Sequence, residues 1–224
     1  MAKAKSKPAA KGKANPFKPV WASFDLGEYR ECAGTYEVYS YKSIPPIDEG
    51  ELDGTFSWLG AKGRAKNAKQ AAHVEKLAAQ AKKAGLELPA DFVYLLSRPS
   101  LCATIPSCTA CEWDLSEKLM PSKALPGSFT VRFLRDQQDV FFWYLFLAPG
   151  LAPCVVVSPI PYDDPRVETD VDRKTLLANS GVVAPSFEHF AYRWWLENEL
   201  WDVVTSSKPK KLTPRQQKYL DHYK

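Results

Sequence analysis

The chain has 224 residues, 45% of them hydrophobic and 25% charged, a balance that excludes a disordered chain and allows a sizeable buried core. No apolar run is long enough to span a bilayer, and the N-terminus lacks the hydrophobic segment of a secretory signal, so we expect a cytoplasmic protein without membrane contact. The net charge of +4 is unevenly divided, because residues 1–18 and 208–224 each carry six basic side chains but only one acidic side chain between them. Residues 19–207 hold 18 basic and 25 acidic side chains, so the body of the protein is acidic.

Residues 1–20 are rich in lysine, alanine and proline, and this low complexity predicts a disordered tail. Clustered lysines gain affinity for phosphates by releasing counterions, so the tail could contact nucleic acid or act as a targeting address. No aromatic residue lies among the lysines of residues 1–16 to stack on bases, which favours a solubilising role.

Residues 21–60 are predicted to be an N-terminal extension with a strand at 35–41 and an acidic loop at 48–53. The alanine- and lysine-rich residues 61–84 predict a long surface helix that ends at Gly85. His73 lies in this helix without a second ligand at metal spacing, so we interpret it as an ordinary helical residue. A short helix follows near residues 89–96, with Pro89 in its first turn and Asp91 near its positive N-terminal dipole.

Four apolar segments predict strands, at residues 111–115, 129–134, 140–147 and 154–158. Short polar or proline-containing turns separate the later segments, which favours an antiparallel meander. Residues 140–147 are almost continuously apolar, as in a central strand that is covered on both faces. The fold class predicted is therefore α+β, with an antiparallel or mixed central sheet flanked by helices.

The closing helix follows Ser186, which supplies an N-cap oxygen, and its aromatic residues recur at helical spacing. Arg193 and Glu197 stand at i and i+4 and are predicted to pair, while Asn198 is predicted to cap a neighbouring loop. Residues 206–224 form a basic tail with a short helix that begins at Thr213 and Pro214 and could dock on the body or on a partner.

Three segments together resemble the SUKH superfamily of fungal cell-wall synthesis regulators and bacterial immunity proteins. They are Leu-Pro-x-Asp-Phe-x-x-Leu-Leu at 88–96, Phe-Leu-x-Asp-Gln-Gln-x-x-x-x-Trp-Tyr-Leu-x-Leu at 133–147, and the closing helix. The resemblance spans residues 86–205, and we assign residues 61–205 to a SUKH-like α+β domain. The residues that match the family signature, to which we give structural roles, are Pro89, Asp91, Trp143, Phe187, Phe190, Arg193, Trp195, Glu197, Asn198 and Trp201.

The resemblance implies a protein-binding module that is not an enzyme and needs no cofactor. Bacterial members of the family neutralise a cognate toxin, often a nuclease or deaminase, by docking on it. Fungal members act as scaffolds in cell-wall and stress signalling. An immunity-type protein is therefore expected first, and a regulatory scaffold or adaptor, with basic tails that contact nucleic acid or acidic partners, is the alternative.

Catalytic chemistry is not favoured by the remaining residues. Cys108 and Cys111 form one Cys-x-x-Cys pair, near Cys102, and a zinc site or a redox pair are alternatives to reduced structural thiols. His189 lies in the first turn of the closing helix, but no nucleophile elbow or glycine-rich phosphate loop accompanies it. We assign neither catalytic residues nor a metal.

The candidate partner-binding residues lie in the acidic segment that leads to the closing helix. They are Asp163, Asp164, Glu168, Asp170 and Asp172. Such a segment could enter the basic groove of a toxin enzyme and accelerate association, or it could be an exposed, solvated loop.

Overall fold

The protein is built around a seven-stranded mixed sheet. The computed structural model describes residues 14–162, 164, 171–207 and 211–224. The strands are β1 (Lys18–Ser23), β2 (Glu37–Ser40), β3 (Met120–Ser122), β4 (Ser128–Arg135), β5 (Phe142–Leu147), β6 (Cys154–Ser158) and β7 (Gly181–Ala184). Their order in the sheet is β2-β1-β7-β6-β5-β4-β3. Helices flank the sheet, so the α+β class is confirmed.

The predicted antiparallel meander is present, because β3 to β7 pair successively in antiparallel fashion. β1 then pairs parallel to β7 and antiparallel to β2, which makes the sheet mixed. β5 lies inside the sheet with all six of its residues buried, in agreement with a strand covered on both faces.

The N-terminal boundaries were predicted wrongly. The predicted tail at 1–20 includes the buried Phe17 and the start of β1 at Lys18, and β1 inserts between β2 and β7. Residues 21–60 are therefore part of the sheet and its packing, and not an extension beside the domain. Residues 1–13, where disorder was predicted, lie outside the described part of the chain.

The strand predicted at 111–115 is also wrong. These residues form one isolated bridge, between Glu112 and Arg135. The backbone amide of Asp114 still donates to Phe133 at 3.0 Å, so the segment follows the edge of β4 without regular strand geometry.

The first helix, α1 (Ala68–Lys83), begins later than the composition predicts. The Asn67 side chain accepts a hydrogen bond from the Gln70 amide and caps it. Gly85 has a positive φ of 72°, and the Leu86 amide donates to the Ala81 carbonyl at 2.9 Å, which closes the helix as predicted. α2 (Ala90–Leu96) follows, with Pro89 as its N-cap residue and not in its first turn.

Two short helices were not predicted, α3 (Pro99–Cys102) and α4 (Arg173–Asn179). The tryptophan-rich helix is α5 (Phe187–Val204), capped by Ser186 as predicted. The last helix is α6 (Pro214–Leu220), whose Thr213 and Gln216 form a capping box. Tyr219 and Leu220 are buried, so this part of the predicted basic tail belongs to the core.

Two apolar clusters lie on opposite faces of the sheet. The larger one packs α1, α2, α5 and α6 against residues such as Trp21, Phe133 and Trp143. The smaller one contains Phe17, Tyr144, Phe146 and Leu176. Among the described residues, no helix combines the length and the apolar character needed to cross a membrane.

Candidate functional site

Most polar residues of α5 face the interior of the protein, while Asp202 near its end is exposed. Arg193, Glu197 and Asn198 have exposed fractions of 1%, 0% and 2%. α5 is enclosed because the sheet covers one side, while the segment around residues 45–58 and α6 cover others. These side chains must therefore find partners within the protein, since a buried polar group without one is costly.

Glu197 accepts hydrogen bonds on both carboxylate oxygens from three parts of the chain. The donors are Trp21 Nε1 at 2.8 Å, Ser23 Oγ at 2.5 Å, Arg30 Nη1 and Nη2 at 2.7 and 2.8 Å, and the Tyr219 hydroxyl at 2.6 Å. Burial alone would raise the pKa of this carboxyl, but the charge of Arg30 and these hydrogen bonds lower it to about 2. Glu197 is thus a buried carboxylate that joins β1, the Arg30 segment and α6.

The predicted pair between Arg193 and Glu197 is wrong, because Glu197 forms its ion pair with Arg30. Arg193 Nη1 donates instead to the Pro45 carbonyl at 2.7 Å and to the Tyr219 hydroxyl at 3.0 Å. Its guanidinium also lies 5.5 Å from the ring centroid of Trp21. The partnership with Arg30 was missed since no local spacing indicates a contact across 167 residues.

Asn198 makes the loop contact that was expected of it. Its side-chain oxygen accepts a hydrogen bond from the Cys108 amide at 2.7 Å, and its nitrogen donates to the Trp194 carbonyl at 2.8 Å. The side chain therefore holds the loop that carries Cys108 and Cys111 against α5.

The other signature residues also have structural positions. The Asp91 carboxylate accepts a hydrogen bond from the Glu188 amide at 2.9 Å and so joins α2 to the start of α5. Phe187 and Phe190 pack against Phe133 with ring centroids 5.0 and 5.4 Å apart. The rings of Trp143 and Trp194 lie 5.1 Å apart, as do those of Trp58 and Trp195, and Trp201 packs half-buried against the same cluster.

Glu188 is a structural residue that the sequence analysis missed. Its carboxylate accepts hydrogen bonds from the Gly54 amide at 2.7 Å, from Trp58 Nε1 at 3.1 Å and from the Phe56 amide at 3.3 Å. The loop at 53–58 is folded around this carboxylate. The acidic residue in the first turn of α5 was the available signal, but such a residue is usual at any helix start.

The histidines are not arranged for proton transfer. His189 is buried, its Nε2 lies 3.0 Å from the Tyr41 hydroxyl, and burial, reinforced by the charge of Arg193, lowers its pKa to about 4. His73 Nε2 lies 3.1 Å from the Ser116 carbonyl oxygen, which fits the predicted ordinary helical role. His222 is exposed beside the ring of Tyr223.

The five cysteines are free thiols, of which Cys102 and Cys154 are buried and the other three, Cys32, Cys108 and Cys111, are half-buried. Burial raises the pKa of Cys102 to about 12 and that of Cys154 to about 11, and it also raises the pKa values of Cys108 and Cys111. Thiols of this kind are protonated at neutral pH and react slowly. Within the described ranges, no group of three or more His, Cys, Asp or Glu residues is placed to hold a metal ion.

Of the predicted acidic partner-binding residues, Asp163, Glu168 and Asp170 lie outside the described part of the chain. Asp172 caps α4, because its carboxylate accepts a hydrogen bond from the Thr175 amide at 2.7 Å, and this bond lowers its pKa. The amide of Asp164 donates to the Pro161 carbonyl at 3.0 Å. The structure thus gives Asp172 a role in local folding that the sequence analysis did not foresee.

Two clefts of about 670 Å³ each open on the surface. One lies between residues 85–90, 147–153 and 185–187, and its walls include Leu88, Pro149 and Leu151. The other lies between residues 45–51 and α6, where Arg215 Nη2 bonds to Glu51 at 2.7 Å. Glu197 itself lines neither cleft, but the walls of the second include Tyr219 and Pro45, which bond to Glu197 and Arg193.

Comparison with known proteins yields no similar sequence and no similar fold: no family model, no curated protein and no solved structure matches this chain.

Proposed function

We propose that the protein is a non-enzymatic binding module of the SUKH type, which docks on a basic toxin enzyme of the nuclease or deaminase class and neutralises it. The observation that carries the proposal is the excess of exposed carboxylates in the N-terminal part of the domain. Of the two basic residues in 19–60, Arg30 is buried and Lys42 is exposed. The exposed acidic residues of the same stretch are Glu28, Glu31, Glu37, Asp48, Glu49 and Asp53.

Charge complementarity explains why such a surface suits this class of partner. Enzymes that act on nucleic acids carry basic substrate grooves, and an acidic surface attracts them over long range. Residues 163–172 add five carboxylates to the chain within a short segment. The buried polar residues of α5 support the same proposal, because Arg193, Glu197 and Asn198 are engaged in internal hydrogen bonds and the exposed charges therefore remain the candidate contacts for a partner.

Two variants reverse three charges each. The first changes the exposed acidic stretch, by Glu28→Lys, Glu31→Lys and Glu37→Lys. The second changes the acidic segment, by Asp163→Lys, Glu168→Lys and Asp170→Lys, and leaves Asp172 intact because it caps α4. A matched control reverses the exposed Glu75, Glu87 and Glu117, which lie in other parts of the sequence. The partner is isolated with the tagged chain from the native host, identified by mass spectrometry and purified, and its association rate is then measured by stopped flow at low and high salt.

We expect each of the two variants to associate about tenfold more slowly at low salt, to approach the unmodified chain at high salt and to keep its melting temperature. The control should change the rate less. The enzymatic activity of the partner should fall as one equivalent of the unmodified chain is added. A partner without enzymatic activity would contradict the immunity role and favour the regulatory scaffold, whereas an unchanged association rate in a variant would exclude its three reversed residues from steering the association.

A further inference from the structure

The outer face of α1 carries a regular stripe of lysines. Lys69, Lys76 and Lys83 follow one another at intervals of seven residues, which places them on one face of a helix. Ala72 and Ala79 lie between them on that face, and all five residues are exposed. The stripe covers about 21 Å of the helix at 1.5 Å per residue. Lys66, before the helix, and Lys82, beside the stripe, add exposed charge.

Lys69 and Lys76 have no acidic residue at helical contact spacing, and the only acidic residue at such a spacing from Lys83 is Glu87, beyond the end of the helix. An ordinary solvated helix face carries opposite charges at i±3 and i±4, which pair along the surface. Around Lys69 and Lys76 these positions hold alanine, histidine, glutamine and another lysine. Among the described residues, none of the ion pairs involves a lysine of α1. The face therefore retains its positive charge.

Positive charges repel one another at the start of α1 when no ligand is bound there. A helix N-terminus carries partial positive charge, and acidic residues usually compensate it there. The first turn of α1 has no acidic residue, and Lys69 adds a further positive charge. A bound polyanion would relieve this repulsion along the stripe and at the helix start together.

The opposite side of the helix packs against the protein. Val74, Leu77 and Ala81 are buried in the core. His73 and the Gln80 side chain contact the backbone of Ser116 and Leu119 along one flank. The packing of this side fixes which face of α1 the lysines present to solvent. The nearest carboxylates in sequence are Glu75, beside Lys76, and Glu87, beyond the end of the helix.

From these features we infer that the exposed face of α1 is a binding surface for the phosphate backbone of a nucleic-acid duplex. A duplex carries about one negative charge per 1.7 Å of its axis, so a segment as long as the stripe presents about a dozen phosphates. Alanines between the lysines allow close approach of a regular rod. Protein interfaces depend on buried aromatic or large apolar anchors, which this stripe lacks, and the same lack disfavours stacking on single-stranded bases. The contact is independent of base sequence.

The test is the salt dependence of duplex binding by the full chain. A fluorescent DNA duplex of about 20 base pairs is titrated at salt concentrations between about 50 and 200 mM, and binding is followed by anisotropy. The stripe variant is Lys69→Gln, Lys76→Gln and Lys83→Gln, which preserves helix propensity because lysine and glutamine are similar helix formers. The control variant removes the same charge elsewhere, through Lys42→Gln, Lys174→Gln and Lys218→Gln. Circular dichroism verifies that both variants remain folded.

We expect the plot of log affinity against log salt to become shallower by about 0.9 per lysine, and so by about 2.7, in the stripe variant. The control should keep the slope of the unmodified chain. Glu75→Gln, which removes the one carboxylate of α1, should tighten binding. An equal change of this slope in the stripe and control variants would overturn the inference, as would duplex binding too weak to measure at about 50 mM salt. Self-association that is lost in the stripe variant, without duplex binding, would instead assign the face to an acidic protein surface.

Discussion

Single side chains in this protein show how buried charge is stabilised. Glu197 receives five hydrogen bonds, two of them from Arg30, while Arg193 places its charge among aromatic rings. An ion pair taken out of water is favourable only when most of its remaining atoms are also satisfied, and here the hydroxyl of Tyr219 serves both Glu197 and Arg193. The Nε atoms of Arg30 and Arg193 are buried without a hydrogen-bond partner. Arg193 and Glu197 thus belong to one interior network, which Tyr219 connects.

His189 leads to a prediction about pH. Its imidazole has a folded pKa of about 4 against an ordinary value of 6.5, so the fold disfavours the protonated form. Below the ordinary pKa the unfolded chain binds more protons at this histidine than the folded chain does. The contribution of His189 to the free energy of unfolding should therefore be complete above pH 6.5 and fall by at most about 3 kcal/mol towards pH 4. His189→Gln should flatten urea-unfolding free energies between about pH 6.5 and 5. His222→Gln, at an exposed site, should leave the slope unchanged, and an unaltered slope for His189→Gln would refute the assignment.

At the scale of elements, segments with local sequence signals were predictable, including the short helices α2 and α6, whereas strands defined by distant pairing were not. α5 and β4 to β6 follow from cap residues, apolar runs and turn residues that act locally. β7 has four residues and pairs with β1, which lies far away in sequence, so no local pattern reveals either strand. The start of α1 was misplaced because helix propensity ignores tertiary contacts. Gly63 has a φ of 73° and lies against the Ser100 carbonyl, where a Cβ would overlap the backbone.

Substitution of Gly181 tests how closely β1 packs against β7. A Cβ at this position would overlap the Val20 side chain, because the two strands approach closely there. Gly181→Ala should lower the free energy of unfolding by about 1–3 kcal/mol, a typical cost of overpacking. Adding Val20→Ala makes room for the new methyl group, so the double variant should be more stable than the sum of the two single losses implies. Denaturant unfolding measures all three variants, and strictly additive losses would show that the clash is not the cause.

At the scale of the molecule, the charged ends that the sequence suggests are not the ends of the folded body. Both ends look alike as sequences, since each is short and basic. The structure incorporates residues 14–23 and 211–224 into the fold through Phe17, β1 and α6. Tyr219 was hard to recognise as a core residue because the signal for its burial is its contact with Glu197 and Arg193, and not its neighbours in sequence. Likewise the candidate binding surfaces depend on exposed charges, whose presence a sequence reveals more readily than their arrangement.

Removal of the two ends should therefore have different consequences for the melting temperature. Deleting residues 211–224 takes away Tyr219, which bonds to Glu197 at 2.6 Å and to Arg193 at 3.0 Å, and leaves both buried charges short of partners. Breaking a buried charge network costs about 3–5 kcal/mol, which corresponds to a fall of about 6–20 °C in melting temperature for a chain of this size. Tyr219→Phe keeps the ring and removes only the hydroxyl, so it should lower the melting temperature less, through a loss of about 1–3 kcal/mol. Deleting residues 1–13, as the matched control, should leave the melting temperature unchanged. Calorimetry compares the variants, and an equal melting temperature with and without residues 211–224 would show that α6 is not needed to hold the charged interior together.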